Sequence, residues 1–313
     1  MNKNISFLSA LPFIPAFGIV LLMTAAAELL GEREILFPEI AAIAAGAFIC
    51  PTLKWNTNSL RLFLTIAAGS VSGLAIVLFV PLPLWAQLCA AFLCGLIILK
   101  LSRTTFAPLI SSVVLPVMLQ TRSVIYPISA MILTAAVILL RKVCVHLGAL
   151  KDSAFTPEPA ADSGAVKELL LMWILGSTVI ITAALSGFRL AAAPPLLVAF
   201  TEFWKKGSAA EKRPLSVIGM IFSCALIGAI AKGTAIYFGF YAFLAAGAAA
   251  MIVYLAMKKT GLIIPPAAAL CVLAFLIGEQ QLLLYPLLIL AGSTAFVMIC
   301  RLHFIISEPL SPQ

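Results

Sequence analysis

The chain has 313 residues, of which 63% are apolar and only 10% charged, with a mean hydropathy of +1.15. A soluble domain is about half apolar and about a quarter charged, so this composition excludes a water-soluble globular protein and points to an integral membrane protein. The net charge of +8 does not indicate nucleic acid, because the basic residues stand in ones and twos between apolar runs. That spacing reads as topology signals beside an anionic leaflet.

A bilayer-crossing helix needs about 20 apolar residues. Taken in order, the candidates are 9–30, 37–52, 60–81, 83–101, 105–120 and 123–147, then 168–187, 190–204, 214–231, 234–257, 262–278 and 281–304. The expected fold is all-α and polytopic, with about 12 crossings. Between the two sets lies 149–167, "ALKDSAFTPEPAADSGAVK", polar and rich in Ala, Pro and Ser. It reads as a cytoplasmic linker between a first membrane repeat, 1–148, and a second, 168–313.

The opening run could by composition be a cleaved signal peptide. Its counterpart in the second set, 168–187, lies in mid-chain and cannot be one, so the first helix is expected to be retained. With all segments crossing and the N-terminus inside, 16 basic residues face the cytoplasm and four (Arg33, Arg122, Arg189 and Lys232) face outside. This positive-inside bias places both termini on the cytoplasmic side of a cell inner membrane. Were 37–52 and 105–120 re-entrant, Lys54 and Arg61 would move outside and the bias would weaken.

The two halves align. "KLSRTTFAPLISSVVLPVML" from Lys100 matches "KKTGLIIPPAAALCVLAFLI" from Lys258 without gaps, setting Pro108 on Pro266. One inserted residue later, Tyr126-Pro127 falls on Tyr285-Pro286, and "FPEIAAIAAGAF" faces "APPLLVAFTEF". A duplication with six segments per copy gives a parallel repeat about an axis normal to the membrane.

On these stretches, "FPEIAAIAAGAF" with "FAPLISSVVLPVML" and "APPLLVAF" with "IIPPAAALCVLAFL", each half resembles the HPP integral-membrane family. The motif's histidine is replaced by Phe106 and Ile264, and the first copy keeps only Pro108 of the proline pair. The resemblance implies a transporter or channel for a small, nitrite-like anion.

Proline is tolerated in a helix's first turn and costs about 3 kcal/mol inside it, so Pro108 and Pro265-Pro266 are expected to open short helices. A helix start held within the bilayer presents free N–H groups and partial positive charge, a ready anion site. Lys100, Arg103, Lys258 and Lys259 precede these starts and are expected to form a basic vestibule. Ser111 and Ser112, one turn into the first of these helices, are path-lining candidates. Glu39 reads as a capping carboxylate ahead of a proton-coupling one, Glu202 as solvated, and Lys232 as a snorkelling helix-end residue. "GSVSG" (69–73) reads as a close-packing G-x-x-x-G.

The seven cysteines read as buried small hydrophobes and the two isolated histidines as surface residues, so no metal or cofactor is expected. No catalytic motif occurs, and an enzyme is not expected. The expected partners are the lipid bilayer and a small solute, with no nucleic acid; a homo-oligomer is compatible with the sequence. The rival reading is a non-transporting membrane scaffold or partner subunit.

Overall fold

The computed structural model describes residues 10–307, in which 13 α-helices account for all regular structure apart from short 3-10 and π turns. The first half contains α1 (Phe13–Leu29), α2 (Glu39–Ala44, continued by a π turn over Ala45–Ile49), α3 (Ser59–Phe79), α4 (Leu84–Leu101), α5 (Leu109–Leu119) and α6 (Ile125–His146). The second contains α7 (Ser163–Leu185), α8 (Pro194–Phe203), α9 (Ala209–Lys212), α10 (Pro214–Phe238), α11 (Ala242–Thr260), α12 (Pro265–Leu273) and α13 (Tyr285–Ser307). Lys3 and the first residue of segment 9–30 lie outside the described residues.

Local chemistry sets many of these boundaries. The Asn58 side chain accepts the Arg61 N–H at 2.9 Å and starts α3, and Asp162 accepts the Ala165 N–H at 2.7 Å and starts α7. Proline occupies the first turn of α8, α10 and α12. α11 stops at Gly261, whose φ of 67° is a left-handed conformation that glycine adopts without strain; Arg103, its partner in the gapless alignment, has φ 52° at the end of α4.

Each of the 12 expected segments contains a helix, but among the described residues only seven helices (α3, α4, α6, α7, α10, α11 and α13) are long and apolar enough to cross a bilayer. α1 has 17 residues, α5 11, α8 10, α12 nine and α2 six. At 1.5 Å per residue, α5 covers roughly 16 Å of a hydrocarbon core about 30 Å thick. The short proline-started helices are present as expected, and the long apolar ones account for seven of the 12 expected segments. α2, α5, α8 and α12 are short because proline defines their starts and because they are core elements, buried along nearly their whole length.

These short helices sit at the centre. α5 packs against α3 and α4, and α12 against α10 and α11; α2 contacts α12, and α8 contacts both α5 and α12. The halves also interlock, since α1 packs on α11 and α7 on α4. Lipid tails are as apolar as leucine, so helix association rests on close packing of small residues rather than on hydrophobic burial. Gly69 and Gly73 of α3 lie directly against α5, and Gly228 of α10 lies against α12.

The polar stretch does not stand free. Its backbone donates from Lys151 to the Pro51 carbonyl at 3.0 Å, and Asn56 clamps Thr156 through Nδ2 to the carbonyl at 2.6 Å and Oδ1 to the N–H at 3.2 Å. Glu158 and Arg103 close a second clamp, with the Glu158 N–H on the Arg103 carbonyl at 2.9 Å and Arg103 Nε on the Glu158 carbonyl at 2.6 Å. The linker is thus a strap that ends at Asp162. The expected boundary at 167 is late, because the capping aspartate starts α7 five residues sooner.

Candidate functional site

The strap covers one side of a cavity of about 610 Å³. Its wall includes Lys54, Lys100, Arg103 and Lys205 together with Glu158, Asp162, Glu168 and Glu202. Its floor includes Ala107 and Ile264, the residues immediately before Pro108 and Pro265. The residues that precede the two proline-marked helix starts therefore line one pocket. The expected basic vestibule becomes a mixed one, because strap and α8 bring carboxylates to it.

The carboxylates in the wall are already engaged. Glu202 accepts the Trp55 indole N–H at 2.8 Å, Glu168 accepts that of Trp204 at 2.9 Å and lies 3.4 Å from His303, Glu158 receives Asn56, and Asp162 caps α7. Arg103 is held by the strap. The side-chain ammonium groups of Lys54, Lys100 and Lys205 make no hydrogen bond or ion pair among the described residues. Lys205 opens onto the pocket, yet desolvation by the surrounding chain lowers its ammonium below the usual lysine value; Glu158 and Glu202 oppose that shift and Lys100 adds to it.

The helix starts themselves are sealed. Pro108, Pro265 and Pro266 are buried. In α12 the two prolines carry no N–H and the next donor, Ala267, is spent on the Ile264 carbonyl at 3.0 Å. α8 repeats the device: Pro194 and Pro195 lack donors, and Leu196 bonds the Ala193 carbonyl at 2.8 Å. Paired prolines let a helix begin in an apolar interior without orphaned donors. This explains "IIPPAAALC" and removes the expected supply of free N–H groups at α12.

The remaining candidates separate. Lys258 and Lys259 end α11 on the exposed surface and do not line the pocket. Ser112 faces α3, with its hydroxyl on the Leu109 carbonyl at 2.6 Å and its Oγ against Gly69. Ser111 is fully buried, its Oγ without a partner, and Glu39 is fully buried with both carboxylate oxygens unpaired. Glu39 makes no cap hydrogen bond, and its capping role is corrected: tertiary packing encloses the start of α2.

Glu202 is half-buried and bonded rather than solvated. His303 stacks on the wall residue Trp204 at 4.1 Å rather than standing as a free surface histidine. Lys232 does not snorkel. Its ammonium donates to the Ile277 and Phe275 carbonyls, and Arg33 donates to that of Leu276 at 2.6 Å, so two cations cap the far end of the α12 segment. Sequence reasoning passed over Lys54, Lys205 and the two pocket tryptophans; only their placement at basic-end loops offered a signal.

The helices define a multi-pass, all-α membrane protein. No family model, curated protein or solved structure matches the chain.

Proposed function

We propose that the protein carries a small anion across a lipid bilayer and takes it up first in the pocket at the starts of α5 and α12. The observation that carries this reading is the asymmetry of the pocket wall: its carboxylates are occupied by indole, amide, histidine or backbone donors, while Lys54, Lys100 and Lys205 are not. Unpaired ammonium groups around a small cavity favour an anionic guest. The floor at Ala107 and Ile264 separates the pocket from the packed interior, which favours alternating access over an open channel. The resemblance to the HPP family supports the same solute class.

The pocket end is read as cytoplasmic, in keeping with the positive-inside bias. Twelve crossings are supported by the short segments' reach. Arg33 touches the far end of the α12 segment while Lys54, 21 positions later, shares the pocket with Ile264. Two parallel six-segment repeats are supported by features that recur in the alignment's register: the left-handed Arg103 and Gly261, and the glycine contacts of α3 and α10 on the Val113 and Cys271 carbonyls.

Trp55 and Trp204 line the pocket, so their fluorescence reports binding. Titrating the detergent-purified protein with nitrite, formate and sulfite is expected to give a saturable change for at least one anion. Lys100→Ala and Lys205→Ala are each expected to weaken it roughly threefold to tenfold. Affinity should fall as pH rises through the lowered value of Lys205, whose ammonium is lost there. No saturable change with any anion would favour a scaffold whose buried proline starts serve packing alone.

A further inference from the structure

Glu39 follows Pro38 in "FPEI", a context that ordinarily places a carboxylate in a solvated first helical turn. Here it is 0% exposed, and neither carboxylate oxygen accepts a hydrogen bond. The Ser111 hydroxyl faces it from α5, equally buried and without closing a hydrogen bond of acceptable geometry.

The groups around it supply no counter-charge. From α6, Tyr126 has its hydroxyl on the Ser112 carbonyl; from α13, Tyr285 has its own on Leu270; from α11, Tyr254 bonds the Ala41 carbonyl. From α1, the Met23 sulfur takes the Phe37 N–H. From α8 the acidic Glu202 acts on Glu39 electrostatically, and α12, which packs on α2, brings Cys271 to the tyrosines Tyr254 and Tyr285. Arg141 of α6 is committed to the Ala47 carbonyl at the other end of the segment. An ionised carboxylate without donor or cation is not sustained in such surroundings, whereas a neutral carboxyl is.

We infer that Glu39 is a proton-binding site, protonated in this conformation, whose release and recapture of a proton couples to the movement of the anion. Its coupling half rests on the transport reading above. Glu202, which acts on Glu39 electrostatically, stands on the pocket wall, and we assign the proton's exit to that side. The step breaks the Glu39 carboxyl O–H bond and passes the proton to pocket water or to Glu202. The carboxylate so formed requires hydration, which a rearranged, open state of the α2 and α5 starts supplies. Proton and anion moving together cancel charge.

Infrared spectroscopy of the purified protein near neutral pH tests the site without any solute. We expect a protonated-carboxyl C=O band in wild type that is missing from Glu39→Gln and shifted in Ser111→Ala, which alters only the neighbouring hydroxyl. Glu39→Gln should melt within a few degrees of wild type, since an amide replaces a neutral acid. A wild-type spectrum without that band, or a carboxylate band at this residue that responds to sodium or potassium, overturns the proposal.

In proteoliposomes with nitrite as probe, an inward proton gradient should raise wild-type accumulation several-fold. Glu39→Gln should lose that gradient dependence. Gradient-driven accumulation by Glu39→Gln overturns the coupling. Failure of wild type to move nitrite counts against the transport reading instead, with the infrared band deciding the proton site separately.

Discussion

Gly73→Ala and Gly228→Ala are each expected to destabilise the protein by about 1–3 kcal/mol, whereas Gly219→Ala, on the same helix as Gly228, is expected to be neutral or slightly stabilising. A Cβ at Gly228 would lie 2.1 Å from the Cys271 carbonyl oxygen, and one at Gly73 would lie 2.3 Å from that of Val113. Both obstacles are backbone in the middle of a core helix, which no rotamer change can move. α3 would have to back away from α5, or α10 from α12, losing van der Waals contact along the whole seam. At Gly219 nothing lies within 4 Å, so alanine adds only its better helix propensity. Thermal melting of the three variants in detergent, followed by circular dichroism, checks the contrast. Equal melting of all three would mean that the short helices are not held by these contacts.

Tyr126→Phe and Tyr285→Phe are each expected to cost about 1–3 kcal/mol, the penalty for orphaning a buried acceptor. Pro116 lies inside α5 and has no N–H, so the carbonyl of Ser112, four residues earlier, lacks its helical partner. The Tyr126 hydroxyl donates to it at 3.1 Å. In the second half α12 ends at Leu273, so the Leu270 carbonyl is likewise without a helical donor, and the Tyr285 hydroxyl takes it at 2.5 Å. Phenylalanine keeps the ring and removes only the donor, which isolates this term. The same melting experiment measures it, and unchanged melting of both variants would show that water replaces the hydroxyl at these carbonyls.

The pattern of legibility follows from what each residue's neighbours are. Helix placement was readable because apolar length and proline position are local properties: Pro108 and Pro265 do stand at helix starts, and Gly69-x-x-x-Gly73 does lie in a close seam. Tyr126 and Tyr285 were readable as an aligned pair, but their task was not, since it depends on carbonyls freed 14 and 15 residues upstream.

Glu39 misled because Pro-Glu at a helix start carries the local signature of an interface, and only the packing of α2 against α12 and α6 removes the water. The stretch 149–167 misled for the opposite reason. Its polarity marks a segment outside the bilayer, and nothing local says that Asn56 and Arg103 fold it back across the pocket. Lys258 matched Lys100 in the alignment yet lies outside the pocket, whose wall is completed by the strap beside Lys100.

Anion flux into proteoliposomes tests the central claim most directly. Wild-type protein is predicted to take up at least one of nitrite, formate and sulfite saturably while a neutral solute of similar size stays out. Lys100→Ala and Lys54→Ala should reduce that uptake, and Lys258→Ala, at an exposed position outside the pocket, should leave it unchanged. Absence of uptake for every anion, or an equal loss in all three variants, would contradict the assignment of this pocket as the place where the solute first binds.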